Sequence, residues 1–381
     1  MEVNKIYLGN TLDVLKTFPD ESINCCVTSP PYWALRDYGT DGVIWGGDPD
    51  CEHEWGASVK NDKNWRGGTT NPEVSPKMSI KGKTNFAEVP ISYSNFCIHC
   101  GAWKGQLGLE PDFKLYIKHL CDIFDEVKRV LRKDGTCWVN LGDTYGGNNS
   151  RGSNGGRAGF GNEREGIFSR FESKNLCNIP SRFSIEMQNR GWILRNKIIW
   201  HKPNCMPSSV TDRFTVDFEE IFFFVKSKKY WFEQQFEPWQ DNNPNDINRA
   251  INGHKKYNGK FKDEDKKGSF AFSESKVAGD PRKGRNKRTV WKIPTQPFPD
   301  AHFAVFPEKL VETPIKAGCP KDGVVLDPFM GSGTVALKAL KENINFIGIE
   351  INPDYIDMAY NRIRPLLSQS KLFEEELICR V

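Results

Sequence analysis

Apolar and polar positions along this 381-residue chain fall into alternating strand-like and helix-like blocks. Residues 3–27 read as strand, short helix (Leu12 to Phe18) and strand. The run Ile23-Asn24-Cys25-Cys26-Val27 suits a central strand buried on both faces. Apolar residues at 116, 120, 123, 124, 127, 130 and 131 keep helical spacing, and Gly135 stands where a C-terminal cap belongs. A strand over Thr136–Leu141 follows, then a helix opened by Pro180 and closed near Gly191, then a strand over Trp192–Trp200. Residues from Glu220 to Phe232 predict two short strands around Lys226-Ser227-Lys228-Lys229. The last third predicts a helix near Pro307–Lys316, a strand at Val324–Leu326, a helix at Thr334–Leu340 and a strand at Phe346–Ile349. A final helix has Asn352 as N-cap and Pro353 at its first position. Strands alternating with helices predict an α/β fold, a doubly wound and mostly parallel sheet.

Three stretches break this rhythm. Gly39 to Glu110 is rich in Gly, Asn, Pro, Lys and Trp without helical or strand period, and reads as an insertion over the core. Residues 146–161 hold seven glycines with Arg151 and Arg157, a loop composition. Residues 238–290 are polar and basic: Lys255-Lys256, Lys266-Lys267, and five cations in seven residues at 282–288. A net charge of +4 permits a nucleic-acid partner without demanding one. Mean hydropathy of −0.58 and the lack of an 18-residue apolar run argue against a membrane span. Eleven cysteines, an odd number, read as reduced thiols. With no signal-like start, the expected location is cytoplasmic.

The chemistry concentrates in two loops. Thr28-Ser29-Pro30-Pro31-Tyr32-Trp33 ends a buried strand. Two prolines fix φ and remove N–H groups, so the carbonyls of Ser29 and Pro30 escape the sheet ladder. A rigid carbonyl beside a hydroxyl can grip an –NH2 group, and a flat ring can stack on the base carrying it. A lone Pro-Pro pair more often merely ends a strand, so a second signal is needed. Asp327-Pro328-Phe329-Met330-Gly331-Ser332-Gly333-Thr334 supplies it, following an apolar strand and opening a helix. Its glycines allow close backbone approach to a ligand. Glu350, 23 residues after Asp327, closes the next strand where an acidic side chain can take ribose hydroxyls. The third glycine of a dinucleotide fingerprint is missing, as a nucleoside without pyrophosphate would allow. Both loops follow strands and so open on one rim of an open sheet.

The Thr28–Trp33 loop resembles motif IV of the amino-methylating DNA methyltransferases, (Asp/Asn/Ser)-Pro-Pro-(Tyr/Phe), and in its Ser form looks most like the cytosine-N(4) enzymes. The 327–334 loop resembles their motif I, with Phe329 in the aromatic position, and Phe346–Glu350 resembles motif II. The motif order matches the permuted β arrangement, and the resemblance covers residues 3–33, 111–203 and 290–365. It implies a Rossmann-like catalytic domain over 1–38, 111–203 and 290–381, with a target-recognition region at 204–289. It also implies S-adenosyl-L-methionine as methyl donor, double-stranded DNA as partner, and a cognate restriction endonuclease. Ser29, Pro30, Pro31 and Tyr32 would be catalytic. Asn10, where the family often has Asp, would join Asp327, Phe329, Gly331, Ser332, Gly333, Thr334 and Glu350 at the cofactor. Methyl transfer would then proceed by positioning and electrostatics on a flipped base. No cysteine follows a proline, which counts against carbon-5 chemistry. Adenine 6-amino methylation and a catalytically silent nucleic-acid-binding module are the rival readings.

Within the insertion, Cys51-x-His53 and Cys97-x-x-Cys100 offer four donors suited to a structural zinc, with His99 as a competing ligand. Cys25, Cys26, Cys121 and Cys137 fall on predicted strands or helices and read as packed core thiols.

Overall fold

The structure is a computed structural model describing residues 1–35, 37, 39–56, 95–146, 171–172, 174–238, 285–296 and 306–378. In chain order its first half holds β1 (Lys5–Leu8), α1 (Thr11–Lys16), β2 (Ile23–Thr28), β3 (Val43–Trp45), β4 (Trp103–Gly105), α2 (Phe113–Val130) and β5 (Leu131–Leu141). Then come α3 (Ile179–Asn189), β6 (Ile193–His201), β7 (Phe218–Val225), β8 (Phe236–Glu237), β9 (Arg285–Asn286) and β10 (Val290–Lys292). The chain closes with α4 (Glu308–Gly318), β11 (Val324–Asp327), α5 (Thr334–Lys341), β12 (Asn345–Glu350) and α6 (Pro353–Ile378).

Eight strands form one sheet in the order β1-β12-β11-β2-β5-β7-β6-β10. Every neighbouring pair is parallel except those of β7, which runs against both β5 and β6. The expected α/β sheet is therefore present, with a single reversed strand. Side chains alternate cleanly between two cores. Cys26, Phe222 and Phe224 join α1, α2 and α3 on one face. Cys25, Val27, Ile221 and Phe223 join α4, α5 and α6 on the other. Helix α2 forms because Tyr116, Leu120, Ile123, Phe124 and Val127 make one buried stripe, and Asp112 caps it by accepting from Lys114 N. Cys25, Cys26, Cys121 and Cys137 are buried, as expected of core thiols.

Three sequence expectations need correction. Gly135 does not cap α2: the helix ends at Val130 and β5 begins at once. Ile23 pairs Leu131 but Cys25 pairs Thr136, so residues 132–135 form an excursion from the ladder. Its space is tight at Gly135, where a Cβ would lie 3.1 Å from the Asn24 carbonyl. Residues 220–232 give one strand, not two, since β5 and β6 already occupy both edges of β7. The following segment instead lays Tyr230 and Phe232 against the Phe223 ring. The insertion, finally, is not wholly outside the core: Trp45, Trp103 and Leu107 are buried in the α2-side cluster. The glycine-rich stretch from 147 and most of the basic segment, including Arg282 and Lys283, lie outside the described residues.

Candidate active site

The C-terminal ends of β1, β2, β5, β6, β11 and β12 meet on one rim, and the reversed β7 brings its first residues there too. A cavity of about 420 Å³ opens on this rim. It is lined by Ser29, Pro30, Pro31 and Tyr32 on one side and by Phe329, Gly331, Ser332, Thr334 and Glu350 on the other. The two loops lie close because β2 and β11 are paired neighbours, Cys25 opposite Val325 and Cys26 opposite Leu326. A side-chain bond joins them: Thr28 Oγ1 donates to Asp327 Oδ1 at 2.6 Å.

In the 28–33 loop the hydroxyls of Ser29 and Tyr32 both have acceptors. Tyr32 OH donates to Glu219 Oε2 at 2.8 Å. It accepts from Ser29 Oγ at 3.2 Å and from Asn140 Nδ2 at 2.7 Å. Asn140 Nδ2 also reaches Glu219 Oε2 at 2.7 Å, and Lys202 Nζ donates to Glu219 Oε1. A carboxylate only accepts, so Glu219 orients the set. The Ser29 proton is committed to Tyr32, which leaves the Ser29 lone pairs for an incoming N–H. Pro31 is pinned through its carbonyl, which accepts from Tyr116 OH at 2.8 Å. Among the described residues no donor meets the Pro30 carbonyl. The Tyr32 ring packs on Gly142, where a Cβ would fall 2.6 Å from Tyr32 Cε2.

The 327–334 loop is held from behind. Asp327 is fully buried and stands off the cavity wall, its Oδ1 accepting from Thr28 Oγ1 and from Phe329 N at 3.0 Å. Among the described residues its Oδ2 has no partner, and burial pushes the carboxyl up to about 7. Glu350 Oε2 accepts from Gly331 N at 2.7 Å, while Oε1 accepts from Ile351 N and Asn352 N, both at 2.9 Å. Burial raises the Glu350 pKa as well. Gly331 has φ of +51° and a Cβ there would meet only the Phe329 carbonyl, at 4.0 Å, whereas Gly333, at φ +79°, has no room: a Cβ there would lie 2.7 Å from Ala359 Cβ. Arg362, on α6, donates to Ser332 O at 2.6 Å, Ser332 Oγ at 2.9 Å and Thr334 Oγ1 at 3.1 Å, tying both hydroxyls to the loop's support. Asn10 lines the cavity but spends its Oδ1 capping α1, accepting from Leu12 N and Asp13 N.

A nucleoside-sized cleft with an acidic strand end, beside a polar grip for an amine, is the arrangement expected of an amino-methylating enzyme. The sequence model of the family described as DNA methylase, covering N6 and N4 methyltransferases, matches residues 23–361. The chain belongs to the DNA methylase family. It is 33% identical over 94% of its length to the type II methyltransferase M.Cfr9I of Citrobacter freundii, 87% of which is covered. It is 32% identical over 94% of its length to the type II methyltransferase M.SmaI of Serratia marcescens, 90% of which is covered. Among solved structures it resembles the PvuII DNA methyltransferase (cytosine-N4-specific) in fold, with TM-score 0.51 and 16% identity over 95% of this chain and 86% of that one. This protein is thus a DNA methyltransferase of the N4/N6 amino-methylating group.

Sequence reasoning missed several residues of this methyltransferase's site. Glu219, Lys202 and Asn140 carry no local motif, and only the sheet order brings them to Tyr32. Arg362 sits in an ordinary amphipathic helix. Gly348 gives the loop room from below: a Cβ there would meet Met330 Cε at 2.3 Å.

Away from the cavity, the structure brings together all four insertion donors. The ligand atoms of Cys51, His53, Cys97 and Cys100 lie within 4.8 Å of one another. The competing His99 turns instead to Glu54, 3.2 Å away. Of the basic run, Arg285 and Arg288 both pair with Glu237, at 2.8 and 2.6 Å. Those two cations are therefore partly neutralised by the protein itself. No described helix is long and apolar enough to cross a membrane.

Proposed function

We propose that this methyltransferase transfers the methyl group of S-adenosylmethionine to the 4-amino group of cytosine in double-stranded DNA, with the target base flipped into the cavity. The observation that carries this reading is the direction of the protons around Tyr32. With Tyr32 OH donating to Glu219 and Ser29 Oγ donating to Tyr32, two adjacent residues present acceptors, Ser29 Oγ and the Pro30 carbonyl. An exocyclic amine has two N–H groups to give. Accepting both draws its lone pair out of conjugation, and Pro31, pinned by Tyr116, keeps the grip rigid. Tyr32 stacks on the base. The serine in place of an aspartate favours cytosine over adenine.

The donor site fits a nucleoside. Glu350 Oε2 has a lone pair left for a ribose hydroxyl beyond its bond to Gly331, Gly331 leaves space, and Pro328, Phe329 and Ile351 supply apolar walls. Bound there, S-adenosylmethionine supplies an electrophilic sulfonium methyl. Asp327 acts as a positioning residue that holds the two loops together through Thr28. We assign residues 204–289 to DNA recognition, and the type II relatives suggest a cognate restriction endonuclease as genetic partner.

The test is incubation with unmodified genomic DNA and methyl-labelled S-adenosylmethionine, followed by digestion to nucleosides. Label in N4-methyl-2′-deoxycytidine supports the reading. Label confined to N6-methyl-2′-deoxyadenosine would overturn the base assignment, and no label in any nucleoside would overturn the activity.

A further inference from the structure

Cys51 and His53 lie just after the β3 side of a two-stranded hairpin, and Cys97 and Cys100 lie just before its β4 side. Cys51 Sγ is 3.8 Å from Cys97 Sγ, and Cys100 Sγ is 3.4 Å from His53 Nδ1. A tetrahedral zinc with bonds of about 2.3 Å to sulfur and about 2.0 Å to nitrogen has S···S edges near ~3.8 Å and S···N edges near ~3.5 Å. The backbone is shaped for close approach as well. Gly101 N donates to the Cys97 carbonyl at 3.0 Å with Gly101 at φ +73°, and a Cβ on Gly47 would strike Cys100 Sγ at 2.8 Å. Three thiols and an imidazole form a soft donor set that selects zinc over magnesium or calcium.

What the cluster closes is the base of a prop. Trp45 and Trp103 pair across the hairpin, and both rings stack on His119, at centroid distances of 4.7 and 5.6 Å. Buried His119 Nδ1 lies 3.1 Å from buried Glu110 Oε1. Glu110 Oε2 accepts from Gly108 N at 2.7 Å, and its carbonyl accepts from Trp33 Nε1 at 3.0 Å. Gly108 in turn packs against the Tyr32 carbonyl, where a Cβ would lie 2.9 Å away, and its own carbonyl accepts from Ala34 N at 2.7 Å. The hairpin thus reaches the Tyr32–Trp33 end of the catalytic loop through two tryptophans stacked on His119 and one buried acid.

We propose that Cys51, His53, Cys97 and Cys100 bind one structural zinc ion, and that this ion holds the β3–β4 hairpin in place as a prop for the catalytic loop. The second half rests on the assignment of Ser29–Tyr32 as that loop. The experiment starts with metal analysis of the full-length protein purified without chelator, and with a preparation grown on cobalt. One zinc per chain, and the intense visible bands of a tetrahedral thiolate-bound cobalt, are expected. Sub-stoichiometric metal, an octahedral cobalt spectrum, or a Cys51–Cys97 disulfide in mass spectrometry overturns the site. These readouts do not depend on methylation, so they stand even if the enzymatic reading fails. Stripping the metal from the holoenzyme should then lower kcat by about tenfold or more with cofactor Kd nearly unchanged, and zinc should restore it. His53→Cys, which keeps four soft donors, should retain the metal, and His53→Ala should lose it. Metal loss that leaves kcat unchanged, or that lowers kcat and cofactor affinity equally, overturns the prop.

Discussion

Replacing Glu219 with Gln tests the central claim about the site, because it changes one oxygen to an NH2 with almost no change in shape. Glu219 Oε2 takes the Tyr32 and Asn140 protons and Oε1 takes Lys202. A glutamine can keep its oxygen toward Tyr32 only by turning its NH2 onto the Lys202 ammonium, donor against donor. Flipped, it offers a donor to Tyr32 OH, whose own proton must then move to Ser29 Oγ. The serine proton is released toward the cavity and meets the N–H of the incoming amine. Either arrangement replaces bonds to a charged acceptor with neutral ones or with a clash, a loss of about 1–3 kcal/mol. If that loss falls on the transition state, kcat drops by roughly 5- to 150-fold. The assay is initial-rate methylation of unmodified genomic DNA, which holds any short target site many times over, alongside calorimetric cofactor binding. Cofactor Kd should hold, since none of these bonds reaches the 327–334 loop. A kcat within about twofold of the wild type, or an equal loss of cofactor affinity, would falsify the proton arrangement.

Other substitutions probe the remaining contacts. Tyr32→Ala should lower kcat by about 100-fold while sparing cofactor binding, and Tyr32→Phe, which keeps the ring but not the hydroxyl, should fall between. Parallel loss of cofactor affinity in steady-state and binding assays would contradict the roles given to Tyr32. Asp327, moved by burial from 3.8 to about 7, favours its neutral form in the fold, so its contribution to stability is full below pH 4 and lost as pH rises through 7. Asp327→Asn keeps the Oδ1 bonds and should gain on the wild type across that window by a few kcal/mol at most, roughly 1.4 per pH unit, in urea melts. A pH-independent difference would refute this. Gly333→Ala should cost about 2–4 kcal/mol in the same melts, from left-handed backbone strain and the contact with Ala359. A change below 1 kcal/mol, roughly the noise of such melts, would mean α6 yields there.

The elements that could be read from sequence were those whose reasons are local. Strand β2 is apolar on both faces, α2 has a helical stripe, and the Pro-Pro and Gly-x-Gly segments cannot be regular structure. What failed depended on partners distant in the chain. Gly135 looked like a cap because a glycine after an apolar helix usually is one, yet the pairing of Ile23 with Leu131 ends the helix earlier. The second strand predicted near 230 finds both edges of its neighbour β7 already taken. Glu219 sits in a Glu-Glu pair at the start of an aromatic strand, with nothing local to distinguish it from Glu220. Only the reversal of β7 puts it under Tyr32. The insertion hid its purpose similarly, since Trp45, Trp103 and His119 become a stack only once the hairpin folds onto α2.

The site's geometry follows from sheet order, not chain order. Thr28 and Asp327 are nearly 300 residues apart in sequence, but they end adjacent parallel strands on the same rim, so a hydroxyl and a carboxyl group close the gap at 2.6 Å. Strand β12 joins β11 on its far side, which sets Glu350 beside the Gly331 amide. Strands β5 and β7 follow on the other side of β2 and deliver Asn140 and Glu219 to the Tyr32 hydroxyl. The 327–334 loop and the 28–33 loop therefore sit on either side of one strand boundary, between β11 and β2. Any chain route that preserved this order of strands would assemble the same chemistry. The long polar segments can enter between elements without disturbing it, provided they attach at the rim or, like the β3–β4 hairpin, press on the loop from outside.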